Sequence, residues 1–121
     1  MSRAGSPASP VRLLAHDPLG VSLELQHLPP ENVLVGSPTV SSRQLASLEA
    51  CEVGLWEMTD GSVTDVEEDE VFVVLSGRGT VHFADDTIIS LTPGVIVNLH
   101  KGDHTTWTIE QTLRKVYVVA G

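Results

Sequence analysis

Aromatic residues are scarce in this chain, with two Trp, two Phe and one Tyr among 121 residues. The core must therefore come from aliphatic side chains. Valine leads them, in Val71, Val73, Val74, Val95, Val97, Val116, Val118 and Val119. β-Branched residues suit pleated, half-buried strands better than helices. Basic residues are also few, seven against sixteen acidic ones, for a formal net charge of −9. That balance excludes a nucleic-acid partner, whose phosphates need a basic surface, and disfavours an anionic membrane. The single cysteine, Cys51, excludes an internal disulfide and fits a reducing compartment, so a cytoplasmic location is expected. No apolar run nears the roughly 20 residues of a membrane-spanning helix. The opening MSRAGSPASP lacks the apolar segment of a signal peptide and is read as part of a flexible arm over 1–18. One domain over 19–121 follows, large enough for a real core.

What is present is a succession of short strand patterns. Val21, Leu23 and Leu25 alternate with Ser22, Glu24 and Gln26, predicting a half-exposed strand over Val21–Leu28 that ends at Pro29-Pro30. Ser41–Leu48 is undecided between a helical turn and a strand. Ala50–Met58 reads as a strand stopped by Asp60-Gly61, a strong turn dipeptide. Further strands are predicted at Val71–Leu75, Gly79–Ala84, Thr87–Leu91, Val95–Leu99, Thr105–Glu110 and Leu113–Val119. Ser76-Gly77, Asp85-Asp86, Pro93-Gly94 and Lys101-Gly102-Asp103 are the expected turns between them. Eight to ten short strands with hardly any helical period predict an all-β sandwich or barrel.

The stretch Gly61–Gly77, GSVTDVEEDEVFVVLSG, carries the sharper signal. A turn glycine precedes an acidic cluster (Glu67, Glu68, Asp69, Glu70), an apolar strand and a Ser-Gly pair. Glu70 stands seven residues before Gly77. With Gly54-Leu55-Trp56-Glu57, Pro93-Gly94, Thr106-Trp107 and Arg114-Lys115-Val116-Tyr117, this resembles the small single-domain cupins related to (S)-ureidoglycine aminohydrolase. The resemblance spans about Glu52–Val119. It implies a double-stranded β-helix, the RmlC-like jelly-roll barrel, with a pocket between its sheets. It also implies a homodimer, formed through sheet edges or the N-terminal strand.

Metal-binding cupins present two His and one Glu from the first motif and a third His from the second. Imidazole and carboxylate together suit divalent Mn, Fe, Ni or Zn. Here Glu70 takes the glutamate position, but the residues four and six before it are Val66 and Thr64, or Asp65 and Val63 at the longer spacing. Thr105 falls at the second-motif histidine, with His104 one residue away. No cofactor is therefore expected, and a divalent metal on Glu70 and His104 is the alternative.

The expected site combines Glu70 and His104 as acid–base or anchoring groups with Trp56, Phe72, His100, Trp107 and Tyr117 as ligand-binding residues. Glu70 shares a strand face with Phe72 and Val74, and histidine changes charge near neutral pH. Glu67, Glu68 and Asp69 are expected to be solvated, and one of Arg114 and Lys115 to point outward. The leading functional expectation is a small polar metabolite bound in the barrel, with catalysis left open. The alternatives are an ammonia-releasing hydrolase or an isomerase using Glu70 and His104, and a barrel that serves assembly.

Overall fold

The structure, a computed structural model, describes residues 10–121. Among the described residues, nine strands form one curled antiparallel sheet. They are β1 (Glu24–Gln26), β2 (Val33–Val35), β3 (Val40–Leu48), β4 (Cys51–Met58), β5 (Gly61–Val66), β6 (Glu70–Phe83), β7 (Ile88–Leu91), β8 (Ile96–Leu99) and β9 (His104–Ala120). A 3₁₀ turn at Pro30–Asn32 links β1 to β2. One path runs β1-β3-β4-β9-β5-β2, and β6 joins it by pairing with β9 while carrying β7 and β8 on its other side.

Several boundaries differ from the sequence reading. Val21–Leu28 yields only the three residues of β1, because this edge strand finds a partner in β3 alone. Ser41–Leu48 is wholly strand, locked by β4 along its length. Gly61–Val66, not foreseen as a strand, pairs with Ile109–His104 of β9. The two predicted strands at Thr105–Glu110 and Leu113–Val119 are one, β9.

Ser76-Gly77 does not turn the chain. β6 continues through it and pairs with β9 on both sides, the register slipping between Val74 and Gly79. Gly77 takes φ +93° and a Cβ there would overlap the Thr112 carbonyl. The glycine therefore serves a bulge, which bends the strand instead of reversing it. The slip has a consequence for the core. Phe72 and Val74 are buried before it and Val81 after it, so the inward face passes from even to odd positions.

The core fills the barrel with Met58, Val63, Phe72, Val74, Val81, Leu91, Val97, Leu99, Trp107, Ile109 and Leu113. β9 is its spine. Thr105, Trp107, Ile109, Leu113 and Lys115 all turn inward and are buried, as period-two alternation requires. Arg114 points outward, as one of the pair was expected to, yet it too is buried. Its guanidinium bonds Glu57 Oε1 (3.0 Å) and the carbonyls of Pro18 (2.9 Å) and Val21 (2.8 Å). The chain at Pro18, where the arm was expected to end, is thus held on the outer face. The first nine residues of that arm lie outside the described residues.

Candidate functional site

A cavity of about 370 Å³ opens at one end of the barrel. Its walls come from β3 (Ser42), β4 (Trp56), β5 (Val63, Thr64, Asp65), β6 (Glu70) and β9 (Trp107, Lys115, Tyr117), and its mouth from His27, Leu28, Pro29 and Asn32. A volume of that size with a few convergent polar groups among aromatic walls is usual for small-molecule sites.

Lys115 is the centre of this arrangement. Its side chain leaves β9 between those of Leu113 and Tyr117, and the residue is 4% exposed. Nζ donates to Glu70 Oε2 at 2.7 Å. The same ammonium lies 4.3 Å from the Phe72 ring centroid, 4.6 Å from Trp56 and 4.7 Å from Trp107. Three of the chain's five aromatic rings thus turn their faces to one charge, an arrangement worth up to about 2 kcal/mol per ring when water is excluded. The rings brace one another, Trp107 standing 5.4 Å from Trp56 and 5.5 Å from Phe72.

Glu67 was expected in solvent and is 6% exposed. The loop after β5 is pinned by two backbone bonds, Glu67 N–H to the Asp103 carbonyl and Gly102 N–H to the Glu67 carbonyl, both 2.9 Å. That turns the side chain inward, where Oε2 accepts from Thr105 Oγ1 (2.6 Å) and Trp107 Nε1 (2.9 Å). The Trp107 indole thereby has the partner that a buried N–H requires. Glu68 and Asp69 are exposed as expected.

Asp65 stands at the cavity rim with solvent on one side. Partial loss of water, and next the charge of Glu67, raise its pKa above the ordinary aspartate value, while the Val66 N–H and Lys115 act in the opposite sense. Tyr117 has a raised pKa as well, from desolvation first and then from Glu52 and Glu70. It therefore keeps its proton at neutral pH. Its ring lies across Gly54, where a Cβ would overlap the phenol.

Of the site residues expected from sequence, Glu70, Trp56, Trp107 and Tyr117 line the one cavity. Phe72 is 1% exposed and lies beneath Lys115 instead of in the wall. His104 does not join Glu70. It is exposed at the start of β9, paired with Val66, and lines a separate groove with His82 and Asp86 that meets the cavity at Asn32, Thr64 and Asp65. The parity of β9 explains this: inward Thr105 sends His104 to the other face. His100 is exposed beside Asp103 and belongs to a third groove.

The fit to a metal follows from the same register. Val63 is in the core and pairs with inward Trp107, so the inward pair on β5 is Val63 and Asp65, with Val66 exposed. Valine offers no ligand. Thr105 is committed to Glu67, and Glu70 to an ammonium that repels a cation. Among the described residues no group of three or more His, Cys, Asp or Glu is placed to hold a metal ion. The donor set does not fit the metal centre of the metal-binding cupins.

An antiparallel sheet curled into a jelly-roll barrel around an end-on cavity defines a cupin. More narrowly, the chain belongs to the EutQ-like cupin domain family, which matches residues 45–117. No match was found among curated proteins. Similar solved structures include the EutQ protein of Clostridium difficile, at 23% identity and TM-score 0.62 over 69% of each chain. The cupin domain of Schizosaccharomyces pombe Cnp3 aligns at 16% identity and TM-score 0.65, covering 90% of this chain and 74% of that one. A protein of unknown function from Pseudomonas syringae pv. tomato aligns at 19% identity and TM-score 0.73, covering 84% of this chain and 45% of that one. These likenesses establish the fold.

Proposed function

We propose that this cupin binds a small polar metabolite in the barrel cavity. The observation that carries the reading is the buried Lys115–Glu70 pair at the cavity wall, its ammonium making one hydrogen bond and otherwise facing rings. Such a fixed pair gives the cavity one polar wall against its apolar ones, with Trp56 and Tyr117 lining the side where the body of a ligand would lie. Binding to the native state raises the unfolding temperature by mass action. A thermal-shift screen of small ureides, sugars, amines and acids is expected to give saturable stabilisation by at least one class. Ser42→Phe, which fills the cavity from β3 and removes no side-chain hydrogen bond among the described residues, is expected to abolish that response and still fold. A response that survives Ser42→Phe would place binding elsewhere and sink the reading.

A second reading, an enzyme that moves a proton in this cavity, is supported by Asp65, a carboxyl of raised pKa in the wall. The pair first expected for that work, Glu70 and His104, opens on two different clefts. The ammonia-releasing hydrolysis implied by the resemblance to ureidoglycine aminohydrolase depends on a metal for which the ligands are missing. Mass spectrometry of each stabilising compound after incubation tests turnover. Product formed by the native chain and not by Asp65→Asn would support the enzyme.

A further inference from the structure

The charges around the cavity do not balance. Asp65, Glu67 and Glu70 line it, and Lys115 is the one Lys or Arg among the lining residues, with His27 at the mouth. Glu70 and Lys115 neutralise each other at 2.7 Å. Asp65 and Glu67 make no ion pair among the described residues.

The hydrogen bonds of Glu67 come from neutral donors, both to Oε2. Its second oxygen, Oε1, has no hydrogen-bond partner among the described residues, on a side chain nine-tenths buried and in the cavity wall. Asp65 Oδ1 accepts from the neighbouring Val66 N–H at 2.8 Å and from no charged group. Two residues apart on one edge of the cavity, these carboxylates raise the local negative potential, and the mutual repulsion is felt at Asp65. An unpaired buried carboxylate oxygen is costly unless something supplies a donor.

The ring faces that would otherwise receive a cation are taken by Lys115. A second positive charge therefore has one favourable place, against Asp65 and Glu67. A metal ion is a poor occupant, since a third ligand is missing there. A protonated amine suits it, because it brings several N–H donors to two acceptor-only groups. Its body then lies toward Trp56 and Tyr117, whose hydroxyl keeps its proton.

We propose that the ligand class of this cavity is the small primary amines, the ammonium head seated between Asp65 and Glu67 Oε1 and a short uncharged body lying on Trp56 and Tyr117. The proposal rests on the reading that the cavity binds a small metabolite, and it adds the sign of the charge.

The test uses three probes of one shape: 4-aminobutan-1-ol, butane-1,4-diol and 4-hydroxybutanoate, measured by calorimetry and thermal shift on the full chain, with Mn²⁺ and Zn²⁺ alone as further arms. The amine is expected to bind at least tenfold more tightly than the diol, and the acid more weakly than either. Asp65→Asn, at the solvated rim, is expected to remove that preference, the affinity for the amine falling toward that for the diol. Glu67→Gln is to act in the same direction, with circular dichroism reporting its fold. Equal binding of amine and diol, or preference for the acid, overturns the amine class while metabolite binding stands. A metal response lost in Asp65→Asn overturns it in favour of a cation site. Silence from all three probes overturns the amine class, and silence across the wider metabolite screen takes down the binding reading as well.

Discussion

Lys115 shows how a residue type acquires meaning from what surrounds it. A buried ion pair is a modest source of net stability, but removing one partner strands the other, at about 3–5 kcal/mol. Lys115→Met and Glu70→Gln are each expected to destabilise by roughly 3 kcal/mol in urea titrations. The double variant should lose less than the sum, by about 1–3 kcal/mol of coupling. Additive losses would mean that the pair does not interact as its geometry implies. Asp65 has the opposite character. Its folded pKa lies above the unfolded value of 3.8, so the folded state holds the proton more tightly and ionisation at neutral pH opposes folding. That penalty is fully present above the raised pKa and fades as pH falls through it toward 3.8. Asp65→Asn is thus expected to be slightly more stable than the native chain at pH 7, the gap closing on acidification. A gap that widens instead would mean that Asp65 is paired as an anion.

At the scale of the strand, parity decides what enters the barrel. Gly77 sets it for β6, and its replacement tests how firmly. Gly77 and Gly94 both have φ +93°, but a Cβ at Gly94 meets nothing within 4 Å, whereas one at Gly77 overlaps Thr112. Gly94→Ala is expected to cost about 1–2 kcal/mol from backbone strain. Gly77→Ala should cost clearly more, about 3 kcal/mol or above, since the clash is with backbone. Equal losses by thermal denaturation would remove the steric role of the bulge.

The same parity explains what was legible in the sequence. The strand patterns at Thr105–Glu110 and Leu113–Val119 and the apolar run at Val71–Leu75 were plain, and with them the barrel, while the direction in which Trp107 and Glu70 face waits on the pairing of β9. Once Trp107 and Tyr117 are read as inward, Lys115 follows from position alone. Ser76-Gly77 looked like a turn because a positive-φ glycine serves turns and bulges alike, and only the partner strand distinguishes them. Glu67 was hidden for a different reason. Its inward course is set by bonds to Gly102 and Asp103, over thirty residues away, which local charge patterning does not record.

For the whole molecule, the free edges of the sheet are β1 and β2 at the ends of the main path and β7 and β8 beyond β6, short strands with one partner strand each among the described residues. These edges are where the homodimer expected by resemblance would form. A dimer in light scattering at micromolar concentration is the expected outcome, and a monomer would set that arrangement aside. Elemental analysis of protein purified without chelator is expected to find no stoichiometric Mn, Fe, Ni or Zn. A full equivalent of any of them would contradict the misfit of the donor set.

The ammonium inside its three rings has a further consequence. A cation that belongs to the polypeptide has no dissociation constant. It is present at full occupancy from the moment of folding, no chelator removes it, and no competing ion displaces it. On the proposed reading, a cupin that centres its cavity on Lys115 responds to its ligand with no resident ion to be loaded first.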